Sequence, residues 1–195
     1  KLAKDTGKEV TLVRYDGKDL EKYAAQTSSI SKRSYQYHLL GQGIQDEAAF
    51  LARCREAASH GWLRGYVLLL GGEPVAFMHG WQYRGVYLYL ETGYDQELRS
   101  HSPGTVLHIM VIEDMFAHDT PKIFEFGVHG EQKATFGNAT HHAAEVFLIR
   151  PSAYPLAATG LYRLSNAGTE AAKKVLDRYG VTGKVKQMMR RLSVR

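Results

Sequence analysis

Two stretches of sequence decide the fold: LRGYVLLLGGEPVAFMHGWQYRGVYLYLE at residues 63–91 and SPGTVLHIMVIEDMFAHDTPKIFEF at residues 102–126. In the first stretch, three runs rich in apolar and aromatic residues are separated by the dipeptides Gly71-Gly72 and Arg84-Gly85. Glycine in a short connection between such runs is typical of a tight hairpin turn. The stretch therefore predicts an antiparallel meander of three strands, at residues 63–70, 74–83 and 86–91.

The second stretch predicts a helix followed by a strand. Ser102 can accept a hydrogen bond as the N-cap, Pro103 suits the first helical position, and apolar residues recur at helical spacing as far as His118. Residues 122–126, KIFEF, are the strand to which this helix returns. A strand, loop, helix and strand of this length make a βαβ unit, in which the two strands lie parallel. We therefore expect an α/β fold with a mixed, mostly antiparallel sheet and flanking helices.

The flanking segments supply the remaining elements. With Asp46 as N-cap, a stripe of small apolar residues predicts a helix that runs to Ser59 and packs Cys54 in the core. Residues 27–34, TSSISKRS, are polar and predict weak structure. The other predicted elements are a strand at residues 10–14, a helix at 18–26, a strand at 144–149, and basic amphipathic helices at 156–179 and 184–192.

Composition excludes several classes of protein. The chain has 195 residues, of which 44% are hydrophobic, and this is enough for a buried core and excludes intrinsic disorder as the main state. Its apolar runs fall far short of the roughly 20 residues that span a bilayer. The single cysteine, Cys54, cannot form an internal disulfide. We therefore expect a reducing, cytoplasmic location.

The net charge of +5 is concentrated at the C-terminus. Residues 171–195 contain eight Lys and Arg residues against Asp177 alone, and they predict a basic helical tail. An anionic partner, such as a surface of anionic lipid, would bind at this tail. Nucleic acid is a weaker candidate, because Tyr179 is the only aromatic ring in the tail and single strands bind by stacking on such rings.

Residues 93–104, GYDQELRSHSPG, lead from the end of a predicted strand to the start of the predicted helix. A helix start offers free backbone N–H groups and the positive end of the helix dipole, which together favour a phosphate or pyrophosphate group. Arg99 and His101 could add side-chain donors. The alternative is a plain capped helix behind a turn, since the loop contains neither a dinucleotide-binding fingerprint nor a Walker motif.

Five short motifs follow one another along residues 34–150. They are Glu73-Pro74-Val75-Ala76, Tyr94-Asp95, Ser102-Pro103-Gly104, Glu125-Phe126-Gly127 and Gln132-Lys133. In this order they resemble the GNAT acyltransferase superfamily, in particular the CelD-like acetyltransferases, a branch related to the Fem aminoacyltransferases. Two positions depart from the pattern of that branch, because Glu125 stands in place of an aspartate and Gln132 in place of a tyrosine.

The resemblance implies a single GNAT-like domain over residues 1–195, in which the βαβ unit binds acyl-CoA. Fem-related proteins commonly have two such lobes, and an alternative is that this domain is the C-terminal lobe of a longer, two-lobed protein. The co-substrate would be acetyl-CoA or another acyl-CoA, with its pantetheine arm along the edge of residues 87–92. Arg99 would lie near the phosphates, and the pyrophosphate would lie on the helix start formed by Ser102, Pro103, Gly104, Thr105 and Val106.

The resemblance also implies N-acyl transfer to an amine, on a sugar or on a cell-envelope precursor such as those of polysaccharide biosynthesis. Glu91 or Asp95 would act as the base, and Tyr94 as the proton donor to the leaving thiolate. Lys133 would lie near the acceptor and the developing negative charge. Each of these residues also has a structural interpretation, as an outward residue of a strand, a loop lysine or a ring packed on the sheet.

Two other functions are compatible with the sequence. One is aminoacyl transfer from a charged tRNA, as in the Fem enzymes, with the basic tail at the RNA. The other is a non-catalytic GNAT-like binding module, which Gln132 favours slightly. A metal site is not predicted, because the nearby His129, His141, His142 and Glu145 lack helical HExxH spacing. The sequence also lacks a G-x-S-x-G motif that would anchor a hydrolase triad.

Overall fold

A computed structural model describes residues 2–35, 37, 41, 43–127, 136–140 and 149–178. The chain divides into two compact units, Lys1–Thr140 and His141–Arg195. A single domain over the whole chain stays a prediction. None of the described helices is both long enough and apolar enough to cross a membrane.

The described part of the first unit alternates helices with the strands of one sheet. In chain order its elements are α1 (Leu2–Thr6), β1 (Val10–Tyr15), α2 (Leu20–Lys32), α3 (Glu47–Ser59), β2 (Leu63–Leu70), β3 (Glu73–Tyr83), β4 (Val86–Tyr94), a 3₁₀ helix (Gln96–His101), α4 (Pro103–His118) and β5 (Ile123–Glu125). The second unit contains α5 (Ala153–Arg178).

The five strands form one sheet in the order β1-β2-β3-β4-β5. The first three pairings are antiparallel, and β4 pairs with β5 in parallel. The sequence-based expectation of a mixed, mostly antiparallel α/β sheet is therefore confirmed. The βαβ unit is confirmed as well, because α4 connects the two parallel strands.

Each face of the sheet packs against its own helices. The side chains between the sheet and helices α2 and α3 include Tyr23, Phe50, Cys54, Val67 and Phe77. We call this side the α3 face. The opposite side, which we call the α4 face, includes Tyr66, Met78, Tyr87, Leu107 and Val111. The predicted packing of Cys54 is confirmed, since this free cysteine is fully buried and burial raises the pKa of its thiol to about 12.

Helix α2 is longer than its sequence predicts. The polar residues from position 27 onward continue the helix to Lys32, and Thr27, Ser28 and Ser31 are buried. The hydroxyl of Thr27 donates to the Tyr23 carbonyl at 2.7 Å. Hydroxyls that bond to carbonyls of the preceding turn satisfy themselves inside a helix, so the prediction of weak structure at residues 27–34 is wrong for its first six residues.

The connection between β4 and α4 also differs from its prediction. Strand β4 continues to Tyr94, and a 3₁₀ helix replaces most of the predicted loop. Ser102 has a left-handed backbone conformation (φ 52°, ψ 52°), and its side chain makes no capping bond. Instead, the Ser102 carbonyl accepts from the N–H groups of Thr105 at 3.0 Å and Val106 at 3.2 Å. The start of α4 is therefore ordered by backbone geometry, and the N-cap role predicted for the Ser102 side chain is wrong.

Charged side chains fix the C-terminal end of α4 to the sheet. Asp119 follows the helix and accepts from Arg64 of β2 at 2.6 Å. Arg14 of β1 approaches Asp114 of α4 at 3.6 Å. The helix therefore keeps one orientation across the sheet, which fixes the position of its opposite, N-terminal end.

Several predicted elements lie outside the described residues. These are the helix at residues 184–192, the strand at 144–149 apart from its last residue, and the basic tail beyond residue 178. The first basic helix, predicted at residues 156–179, is confirmed as α5 with slightly earlier bounds.

Candidate active site

A β-bulge in β4 separates two side chains that a regular strand would place on the same face. His79 pairs with Glu91 and Gly80 pairs with Tyr89, so Leu90 is an extra residue without a partner in β3. Tyr89 therefore packs on the α4 face, and Glu91 lies across from His79 on the α3 face. A bulge also bends its strand and increases the local twist.

Beyond the bulge, β4 has a free edge. Only three residues of β4 pair with β5, from Val86 opposite Ile123 to Leu88 opposite Glu125. None of the described strands pairs with the outer edge of residues 90–94. Unpaired N–H and C=O groups at such an edge can accept an extended ligand as an additional strand. The edge predicted for the pantetheine arm, residues 87–92, is therefore shorter than expected, because residues 87 and 88 pair with β5.

The start of α4 adjoins the end of this edge. The Gly104 N–H has no hydrogen-bond partner among the described residues. A Cβ at Gly104 would lie 3.4 Å from the ring of Tyr94, so β4 and α4 are in close contact here. Arg99, Ser102 and Thr105 are exposed, whereas Pro103 is buried and Val106 is half-buried. An anion at this helix start would therefore meet backbone N–H and exposed polar side chains.

Asp95 is a structural anchor in this geometry. Its Oδ2 atom accepts from Arg33 at 2.7 Å and its Oδ1 atom accepts from the Glu97 N–H at 3.0 Å. Arg33 also donates to the Pro74 carbonyl at 2.8 Å. These bonds join the end of α2, the start of β3 and the 3₁₀ helix. Because both oxygens of Asp95 are engaged, Glu91 is the better candidate for the base.

Glu91 has one engaged and one unpartnered oxygen. Its Oε1 atom lies 3.3 Å from the Arg53 guanidinium of α3, and its side chain is 27% exposed. The Oε2 atom is buried and has no hydrogen-bond partner among the described residues. The side chain is partly exposed and its Oε2 atom meets no donor in the described part of the chain, so this oxygen can accept a proton from a substrate that reaches it.

A buried histidine lies opposite this glutamate, and the sequence analysis missed it. His79 is 1% exposed, its Nδ1 atom lies 3.1 Å from the Tyr23 hydroxyl, and the edge of Phe50 packs on its ring. Burial lowers the pKa of His79 to about 3, with a smaller contribution from the Arg53 charge. The imidazole is therefore neutral. The ring of Tyr23 passes over Gly65, where any Cβ would overlap it.

Aromatic rings gather on the α4 face next to the free edge of β4. The His108 ring of α4 stacks on Phe136 with centroids 5.0 Å apart, and Tyr89 lies 5.4 Å from it. Phe124 and Phe126 complete the group. Burial lowers the pKa of His108, and its Nε2 atom is buried without a partner among the described residues. Only the aromatic content of KIFEF hinted at this cluster in the sequence.

The structure brings together some of the predicted site residues and separates others. Tyr94 lies on the α4 face, across β4 from Glu91. Arg99 and the residues from 102 to 106 are adjacent at the start of α4. Lys133 and Gln132 lie outside the described residues, as do His129, His141, His142 and Glu145. Among the side chains that the structure describes, no group of three His, Cys, Asp or Glu residues is arranged to hold a metal ion.

The comparisons with known proteins agree with this fold. A family model described as "Acetyltransferase (GNAT) domain" matches residues 1–138. The chain therefore belongs to the GNAT acetyltransferase family, whose members use acetyl-CoA as co-substrate. The narrower assignment to the CelD-like branch stays a prediction. No curated protein matches the sequence.

Solved structures with the same fold are distant in sequence. A possible acetyltransferase from Clostridium difficile 630 is 13% identical, with a TM-score of 0.52 over 72% of this chain and 99% of that chain. An aminoglycoside acetyltransferase from an uncultured soil metagenomic sample, in complex with sisomicin, is 13% identical, with a TM-score of 0.51 over 71% of this chain and 95% of that chain. At these identities the similarity concerns the fold alone.

Proposed function

We propose that this protein transfers the acetyl group of acetyl-CoA to an amine, with Glu91 as the base. One observation carries the proposal: the bulge at Leu90 places Glu91 on the α3 face and leaves the neighbouring edge of β4 unpaired. Acetyl-CoA can therefore bind along the edge of β4, while Glu91 reaches the same part of the strand from the α3 face.

The donor side rests on complementary chemistry. The pantetheine arm of acetyl-CoA contains amide groups that can pair with a free strand edge, here residues 90–94. Its pyrophosphate suits the start of α4, where the Gly104 N–H is free and Arg99 is exposed. Both features lie in one continuous stretch of the first unit.

On the acceptor side, Glu91 would receive the proton of the amine. The amine nitrogen attacks the thioester carbonyl carbon, the C–N bond forms, and the C–S bond breaks. The thiolate of coenzyme A then takes up a proton. Tyr94, and Lys133 in the role predicted from the family resemblance, are the candidates to assist the leaving group. His79 supports the base because a neutral imidazole adds no positive charge beside the Glu91 carboxylate.

The acceptor is proposed to be an amine on a sugar or cell-envelope precursor, on the strength of the resemblance to the CelD-like branch. The two alternative functions differ from acetyl transfer in the donor. Aminoacyl transfer requires a charged tRNA, and a non-catalytic binding module requires no donor. Calorimetric titration with acetyl-CoA and with charged tRNA separates them, because only the proposed function requires a saturable acetyl-CoA site.

Glu91→Gln tests the base. We expect acetyl-CoA binding to persist while acetyl transfer to a panel of amino sugars falls by about 10²–10⁴-fold, the usual range for loss of a general base. Glu113→Gln is the matched control, since Glu113 is an exposed residue of α4. Release of the coenzyme A thiol is a suitable readout, because the buried Cys54 contributes little background. Equal transfer rates for Glu91→Gln and the parent would remove Glu91 from the mechanism.

A further inference from the structure

Helix α5 exposes large apolar side chains along its first half. Tyr154 is 84% exposed, Leu161 is 69% exposed and Leu164 is 71% exposed. These three residues do not belong to either hydrophobic core cluster. A helix in water gains most of its stability by packing an apolar face against another element. A surface must therefore cover this face.

Three of the five exposed large apolar side chains of α5 lie on a seven-residue repeat, namely Tyr154, Leu161 and Leu164, whereas Leu156 and Tyr162 lie outside it. The positions 154, 157, 161, 164, 168 and 171 alternate in steps of three and four, which is the spacing of the a and d positions of a coiled coil. At the e and g positions beside the seam that these six residues form, the described residues are small, namely Ala153, Ala158, Gly160, Ser165 and Ala167, except for Lys174 near the C-terminal end. Small flanking residues carry no charge that would repel a partner helix, and they allow close approach.

The sizes of the seam residues change along the helix. The large residues Leu161 and Leu164 lie before its midpoint, and the small residues Gly168 and Ala171 lie after it. A helix of this kind fits a copy of itself when the two run in opposite directions. Leu161 and Leu164 then each face a small residue.

We propose that α5 pairs with α5 of a second copy of this chain as an antiparallel coiled coil, centred near residue 166. In this register Leu161 faces Ala171 and Leu164 faces Gly168 of the second copy, so an a position always faces a d position. Tyr154 faces Arg178, which places a guanidinium near an aromatic ring. The interface is isologous, as in a two-fold symmetric dimer.

A parallel arrangement fits less well. It would place Gly168 against Gly168, which leaves a void in the seam, and Arg178 against Arg178, which brings like charges together. It would also stack the two bulky Tyr154 rings in one layer. The antiparallel arrangement avoids all three costs.

The oligomeric state of the full chain tests the pairing. We expect sedimentation equilibrium to give a dimer at micromolar concentration. Leu164→Glu should raise the dissociation constant by about a hundredfold or more, because each glutamate would bury an unpaired carboxylate. Asn166→Glu is the matched control: it adds the same charge to α5 on the side away from the seam, and it should leave the dimer intact. A parent chain that is monomeric would overturn the proposal. This holds whether or not the monomer binds anionic vesicles, which would indicate that α5 lies on a lipid surface instead.

Cysteine cross-linking tests the direction. Leu161→Cys and Ala171→Cys proteins, mixed and oxidised, should give a disulfide between the two variants, whereas Leu161→Cys alone should not form one. The native Cys54 is buried and does not interfere. A strong disulfide in Leu161→Cys alone would show a parallel pair and overturn the antiparallel arrangement. Circular dichroism of each variant, together with acetyl-CoA binding, confirms that the first unit is folded.

Discussion

Four polar side chains from four different elements meet around β4. Tyr23 comes from α2, Arg53 from α3, His79 from β3 and Glu91 from β4. The hydroxyl of Tyr23 contacts His79, and Arg53 contacts Glu91. Burial lowers the pKa of His79 to about 3, so the imidazole opposite the candidate base is neutral.

The first prediction concerns the acid sensitivity that His79 confers. Its pKa is about 3 in the fold, whereas an unfolded histidine has a pKa of about 6.5. Between these values the unfolded state binds more protons, so the free energy of unfolding falls as the pH decreases below about 6.5, by up to about 1.4 kcal/mol per pH unit. His79→Gln should therefore lose less stability than the parent on acidification.

Urea unfolding at about pH 7.5 and about pH 5 measures this difference. His118→Gln serves as the control, because it makes the same change at an exposed histidine and leaves the buried site unaltered. Identical pH dependence in His79→Gln and the parent would show that His79 is not held neutral by burial.

At the scale of elements, the proposed donor site consists of the free edge of β4 and the start of α4. The bulge bends β4 where β5 stops pairing with it, and the 3₁₀ helix, held by the Arg33–Asp95 ion pair, directs the chain into α4. The geometry of the site therefore depends on how these elements are joined, as well as on the residues that touch the ligand.

Deleting Leu90 should weaken acetyl-CoA binding without unfolding the protein. The deletion makes the ladder between β3 and β4 regular and keeps Glu91 opposite His79, but it removes the bend that separates β4 from β5. Leu90→Ala keeps the extra residue and should bind acetyl-CoA as the parent does. Calorimetric titration compares the three proteins, and an unchanged affinity after the deletion would show that the bend is not needed for the donor.

Gly104→Asp should abolish acetyl-CoA binding. The new carboxylate would lie at the start of α4 and repel the pyrophosphate. Gly104→Ala adds the same Cβ, which meets the Tyr94 ring at 3.4 Å, without adding charge, and should lower the affinity much less. If the folded aspartate variant binds acetyl-CoA as tightly as the parent does, the phosphates bind elsewhere.

At the scale of the whole molecule, the GNAT match and the compact first unit nearly coincide. The family model ends at residue 138, and the first unit ends at Thr140. The candidate donor and base residues that the structure describes all belong to this unit. Helix α5 belongs to the second unit, where it is assigned a role in association.

A chain that ends at Gly183 should bind acetyl-CoA as tightly as the full chain. The cut removes residues 184–195, which carry five Lys and Arg residues and no acidic residue. Binding to anionic vesicles should weaken and lose its salt dependence, because that attraction depends on these charges. A truncated protein that is folded but has lost its affinity for acetyl-CoA would assign the tail to the donor site.

The sequence alone determined the order of the central elements. Glycine dipeptides, a Ser-Pro-Gly helix start and apolar periodicity are local signals, and they predicted β2, β3, β4, α4 and β5 and their mixed pairing. The same motifs, taken in order, led to the GNAT family. They also marked the start of α4 as the place for phosphate groups, which stays a proposal.

Only the tertiary structure decided which side chains meet. Arg33 and Asp95 are 62 residues apart, and Tyr23 and His79 are 56 residues apart. No local pattern predicts such contacts, because they depend on strand register and on the packing of helices across the sheet. The same reason explains the polar end of α2, where the Thr27 hydroxyl donates to the Tyr23 carbonyl and the Ser31 hydroxyl accepts from the Ile44 N–H. It also explains why the bulge at Leu90 could not be predicted. Strand β4 has apolar residues on both faces, so its sequence does not show where the alternation of side chains between the faces shifts by one residue.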